Sequence, residues 1–232
     1  MRKCILLAAA MLFSAVSLFA QLTPYEYGHR WYFAFQGGPV YFNSDYCSRL
    51  GPEGRYGELF TIGAGAALGY NFDDARAIRV MAHYGRKTGV CEPFEFVNAD
   101  PTEDPFPAYT YKFRSINVFA DYVVNYNALA EYNMCFSAKN YIGLGVGYTF
   151  DFTDPKHPEV LLTDPNLVPG MHFGFIVEYD FKDGFGFYTD LGVAFYFDRY
   201  NGRPRIGFPL DMDVIAQLGL IYHFPLTKKV RR

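Results

Sequence analysis

At 232 residues, 50% hydrophobic and 19% aromatic, the chain is long enough to build one substantial core. Its formal net charge is −3; removing residues 1 to 20 takes away Arg2 and Lys3 but no acid, leaving 19 Lys+Arg against 24 Asp+Glu and a net charge of −5. That acidic balance excludes nucleic acid as a partner, and the lack of any stretch near ~20 consecutive apolar residues excludes a transmembrane helix.

The first segment is a short basic start, Met1-Arg2-Lys3, followed by an apolar run from Ile5 to Phe13 and small residues around Ser14 to Ser17. This predicts a signal peptide over 1–20, cut between Ala20 and Gln21, and a translocated mature chain. Residues 21–30 form a lead into the first of eight segments that alternate with period two, predicted as strands at 31–42, 59–72, 75–86, 112–127, 139–152, 170–182, 185–198 and 211–224. The second sets Phe60, Ile62, Ala64, Ala66, Leu68, Tyr70 and Phe72 against Thr61, Gly63, Gly65, Ala67, Gly69 and Asn71. In the fifth, Ile142, Leu144, Val146, Tyr148 and Phe150 oppose Gly143, Gly145, Gly147 and Thr149. The last shows the clearest alternation: Val214, Ala216, Leu218, Leu220, Tyr222 and Phe224 on one face, Asp213, Gln217, Gly219 and His223 on the other. Residues 225–232 are a basic tail.

The connections alternate as well. Asp73-Asp74 and Asp183-Gly184 centre tight turns. Long polar segments lie at 43–58, 87–111, 153–169 and 199–210, and 128–138 is an intermediate stretch whose Leu129, Tyr132, Met134 and Phe136 suit a small amphipathic element. Short turns at one end and long loops at the other are the habit of an outer-membrane barrel, with the loops outside and both termini in the periplasm. A soluble barrel would alternate too, but its polar faces would collect Lys and Glu. Here Lys112, Lys139 and Lys182 sit at predicted strand ends, and the mid-strand polar face is mostly Gly, Asn, Ser, Thr and Tyr, as a narrow packed interior requires.

The signal junction Ala20-Gln21, the Gly-rich strand Tyr141 to Tyr148 and the terminal strand Gln217 to Phe224 resemble the small eight-stranded outer-membrane β-barrels, like the OmpA transmembrane domain. The resemblance spans nearly the whole mature chain. It implies an all-β, eight-stranded, antiparallel up-and-down transmembrane barrel over 31–224, in the outer membrane of a Gram-negative-type cell, and a terminal signature (Leu218, Leu220, Tyr222, Phe224) presented to the barrel insertion machinery. Such barrels often end at the terminal aromatic, whereas this chain continues with Pro225 to Arg232. No peptidoglycan-binding domain follows, so anchoring to the cell wall is not implied.

A lumen of eight strands is just filled by its own side chains. Inward positions include Arg79, His83, Asp121, Glu178 and Asp190, and unpaired buried acids would be costly. The expectation is therefore an ion-pair network of Asp121, Glu178 and Asp190 centred on Arg79. Cys47 and Cys91 both fall in outer loops and are candidates for a disulfide, with Cys135 left at the opposite end. The sequence has no G-x-S-x-G, H-E-x-x-H or paired C-x-x-C, so no catalytic residue, metal or cofactor is expected. The spaced acids Glu92, Glu95, Asp100, Glu103 and Asp104 among prolines suit a solvated, semi-rigid loop. The resulting expectation is a monomeric, non-enzymatic barrel in contact with outer-membrane lipid, with a structural or surface-contact role. A lipid-modifying barrel enzyme, with a Ser or His and an acid near the membrane surface, and a narrow channel or small-molecule carrier stand behind it.

Overall fold

The computed structural model describes residues 31–43, 59–91, 109–129, 136–153, 165–181, 184–197, 199–202 and 210–224. Eight strands follow one another: β1 (Trp31–Asn43), β2 (Phe60–Asn71), β3 (Arg76–Cys91), β4 (Tyr109–Asn125), β5 (Phe136–Thr153), β6 (Asn166–Asp180), β7 (Phe185–Phe197) and β8 (Leu210–His223). A helical turn, α1 (Tyr126–Leu129), follows β4. Each strand pairs antiparallel with the next, and β8 returns to β1 (Tyr32 opposite His223, Asn43 opposite Met212), so the sheet closes into a barrel in sequence order. Closure removes the edges that would leave backbone groups unpaired. The one interruption in the β1–β8 register is at Gly38 and Pro39, where proline has no N–H to give.

The β2–β3 turn is built by Asp73. Its carboxylate accepts from the Ala75 and Arg76 backbone N–H groups at 3.0 and 2.7 Å and from the Arg76 guanidinium at 2.8 and 2.5 Å. That guanidinium hydrogen bond, first among several contacts, holds the Asp73 carboxyl below its ordinary range. At the β6–β7 turn Gly184 has φ +82°, a conformation natural to glycine.

Several strands run further than alternation predicts. β3 continues to Cys91 and β4 starts at Tyr109, in unbroken register from Arg86 opposite Arg114 to Cys91 opposite Tyr109. The segment 87–111 is therefore partly hairpin: beyond the apolar belt, backbone pairing continues without hydrophobic alternation to mark it. β5 likewise begins at Phe136, opposite Tyr179, so Phe136 is a strand residue and not part of an amphipathic element. The register of β4 against β5 shifts between Lys112 and Arg114, where Asp151 adopts φ 55° and pairs with Arg114 at 2.9 Å. This bulge reverses the facing of the residue after it, so Phe152 stacks on inward Phe113 at 5.4 Å instead of following Phe150 outward.

The outer wall is apolar around its circumference. Ile62 (81% exposed), Leu144 (68%), Leu167 (64%) and Leu218 (69%) leave most of their surface uncovered by protein, a wall suited to hydrocarbon and unsuited to water. At the turn end, aromatic rings form a linked girdle: Trp31–Tyr70 at 4.9 Å, Phe181–Phe187 at 4.9 Å, Phe185–Tyr222 at 4.6 Å and Tyr222–Phe224 at 5.2 Å. Leu218, Leu220 and Phe224 of the terminal strand are exposed on this wall, with Tyr222 half-buried among its aromatic neighbours.

Candidate functional site

The inward faces bring the polar side chains together in tiers along the lumen. Glycines make the room. A Cβ on Gly69 would fall 2.0 Å from the Tyr32 ring, one on Gly143 2.1 Å from Asp121 Oδ1, and one on Gly192 2.1 Å from the Tyr141 hydroxyl. Gly192→Val should therefore push Tyr141 off its partner and lower the urea midpoint, by about 1–3 kcal/mol of stability. A midpoint equal to wild type would show that the lumen has slack there.

The central tier belongs to Arg79, which is fully buried. Its Nε and Nη2 donate to Asp121 Oδ2 at 2.9 and 2.7 Å, and Nη1 donates to Asp190 Oδ2 at 2.8 Å and to the Tyr188 hydroxyl. Asp121 is the direct cross-strand partner of Arg79, whereas Asp190 reaches it from β7. Tyr141 donates to Asp190 Oδ1 at 2.7 Å, its ring lies 4.2 Å under the guanidinium, and His172 stands 3.2 Å from Asp121 and 3.1 Å from Tyr141.

Glu178 does not join this tier. It lies nearer the turn end, where Lys139 Nζ meets its Oε2 at 2.6 Å and His223 Nε2 meets its Oε1 at 2.6 Å. The correction has a simple reason: Ser137 on β5 faces Glu178 directly, so Lys139, two residues along on the same inward face, is closer to it than Arg79 three strands away on β3. The alternation already placed Lys139 and Glu178 on inward faces of neighbouring strands, which is the signal that could have paired them.

Toward the loop end, Gln36 donates to Gln217 at 2.8 Å, and Gln217 Nε2 lies 2.6 Å from His83 Nε2. Above them Lys87, fully buried, pairs with Asp213. The sequence reading stopped the third strand at 86 and so left Lys87 in a loop. Tyr200 comes from the β7–β8 connection yet is wholly buried. It donates to Asn117 at 2.9 Å and stacks on Tyr196 at 3.8 Å, with Phe42 and Phe113 around it. Part of that loop thus caps the mouth of the barrel.

Lumen-facing His83 and His172 are bound into these tiers, and neither is paired with a surface serine. Cys47 and Cys135 lie outside the described residues, as does the side chain of Cys91, and so does the possible bridge between Cys47 and Cys91. Residues 1–30 and 225–232, with the expected signal peptide and tail, lie outside them too.

No family model matches this sequence, and no curated protein does. Among solved structures it is similar to Neisserial surface protein A, at 9% identity and a TM-score of 0.49, over 84% of this chain and 97% of that one. It is similar also to a major outer membrane protein from Thermus thermophilus, at 13% identity and a TM-score of 0.49, over 84% and 100%. A third is Ail, the attachment invasion locus protein of Yersinia pestis, at 11% identity and a TM-score of 0.43, over 84% and 99%. The architecture stands on the strand pairing itself. The closed ladder, the apolar wall and the packed polar lumen make this chain an eight-stranded antiparallel β-barrel of the outer-membrane type.

Proposed function

We propose that this outer-membrane barrel has a structural or surface-contact role, without enzymatic activity, and that its lumen is plugged by its own side chains. The observation that carries the reading is Arg79, buried to 0% exposure and clamped between Asp121 and Asp190 from opposite parts of the wall. A guanidinium so bound leaves no free path at its level, and the Lys87–Asp213 pair with the Tyr196–Tyr200 stack obstructs the mouth a second time. Specificity then resides in the long segments joining β1 to β2, β3 to β4, β5 to β6 and β7 to β8. The partners of the barrel itself are outer-membrane lipid and the insertion machinery that reads Leu218, Leu220, Tyr222 and Phe224, and it acts as a monomer. In planar lipid bilayers the purified wild type is expected to give no steady conductance. Reproducible single-channel steps from the unmodified chain would overturn the plug in favour of a narrow channel.

A further inference from the structure

We propose that Glu178, Asp180 and His223 form a site for one divalent cation of the zinc class at the turn end of the lumen. The three residues are buried, and one ligand atom from each lies within 4.8 Å of the others. His223 Nε2 is 2.6 Å from Glu178 Oε1 and 3.5 Å from Asp180 Oδ1. Tetrahedral zinc, bonded at ~2.0–2.2 Å, holds its ligand atoms about 3.3–3.6 Å apart, so the group needs shifts of about an ångström to close on an ion.

Asp180 points to the ligand independently. Its side chain is 1% exposed, and beyond the 3.5 Å approach of His223 Nε2 neither carboxylate oxygen accepts a hydrogen bond. A buried carboxylate is normally paired, hydrogen-bonded or metal-bound. Gly186 leaves it space, since a Cβ there would lie 2.9 Å from Asp180 Oδ1.

Charge points the same way. Among the described residues the buried acids are Asp121, Glu178, Asp180, Asp190, Asp211 and Asp213, against Arg79, Lys87 and Lys139 as buried lysines and arginines. Among the described residues these acids outnumber those cations, and Asp180 is the buried acid of which neither carboxylate oxygen accepts a hydrogen bond. One imidazole nitrogen and two carboxylate oxygens make the three-ligand, open-position set that zinc accepts, with water completing the shell. Lys139, 2.6 Å from Glu178 Oε2, holds the oxygen that faces away from His223 and orients the carboxylate. Entry of the ion displaces the proton between His223 Nε2 and Glu178, so one proton leaves as one ion binds.

The test is zinc chloride titrated into the untagged, detergent-folded protein with its thiols alkylated, read by calorimetry and by X-ray absorption at the zinc edge. The expected result is one ion per chain, insensitive to excess magnesium, in a shell of one imidazole and oxygen atoms. Asp180→Asn and His223→Gln should each weaken uptake at least about tenfold while the boiled-versus-unboiled gel shift is kept, and His157→Gln should leave it unchanged. No stoichiometric uptake by the wild type, or uptake surviving both ligand substitutions, overturns the site. So does a shell with two or more imidazoles, which would direct attention to His29 or His157. The absorption measurement uses the unaltered chain, so it decides the matter even if a variant fails to fold.

Discussion

Arg79→Met is expected to destabilise the folded barrel by about 3–5 kcal/mol, measured as the free energy of urea unfolding in lipid vesicles. The side chain is fully buried and its charge is shared by Asp121 at 2.7 Å and Asp190 at 2.8 Å, so its removal leaves two carboxylates in the lumen whose remaining partners among the described residues are Tyr141, Tyr188 and His172. The loss measures an uncompensated buried charge more than the strength of the pair. For that reason the triple substitution Arg79→Met, Asp121→Asn, Asp190→Asn should recover much of it. A single Arg79→Met as stable as wild type would mean that water reaches this tier, and the plugged lumen would fall with it.

Leu144→Arg is expected to be nearly as damaging, for the opposite reason. Leu144 sits near the middle of β5, 68% exposed, with Met171 and Ala120 beside it across the ladder. If that exposure is to hydrocarbon, an arginine there costs about 2–4 kcal/mol in the same vesicle assay, falling toward zero for a substitution near either rim. If the exposure were to water, the change would be close to neutral. The same substitution therefore tests the membrane placement itself, and an unaltered stability would refute it.

How much of this was legible beforehand differs between the two faces of the wall. The outward residues of β2, β5 and β8 were named correctly from alternation alone, because which side of a strand a residue occupies depends only on its position within that strand. Inward partners depend on register between strands distant in the chain. Arg79 and Asp190 are 111 residues apart, and Lys87 and Asp213 are 126 apart. A shift of two residues anywhere between them would change who meets whom while preserving every alternation. Glu178 was misassigned on that account. Phe152 escaped because the bulge at Asp151 broke the period, and Tyr200 because it comes from a connection that carries no period.

By itself, then, the sequence determined that eight strands alternate, which face of each is apolar, and where the short and long connections lie, since those are local consequences of a pleated chain with one side meant for oil. Only the tertiary structure decided that Arg79 joins Asp121 to Asp190, that Lys139 and His223 claim Glu178, that Lys87 lies inside, and that a loop tyrosine caps the mouth. These follow from how closure, stagger and bulges rotate and align strands around a lumen, which no single strand encodes.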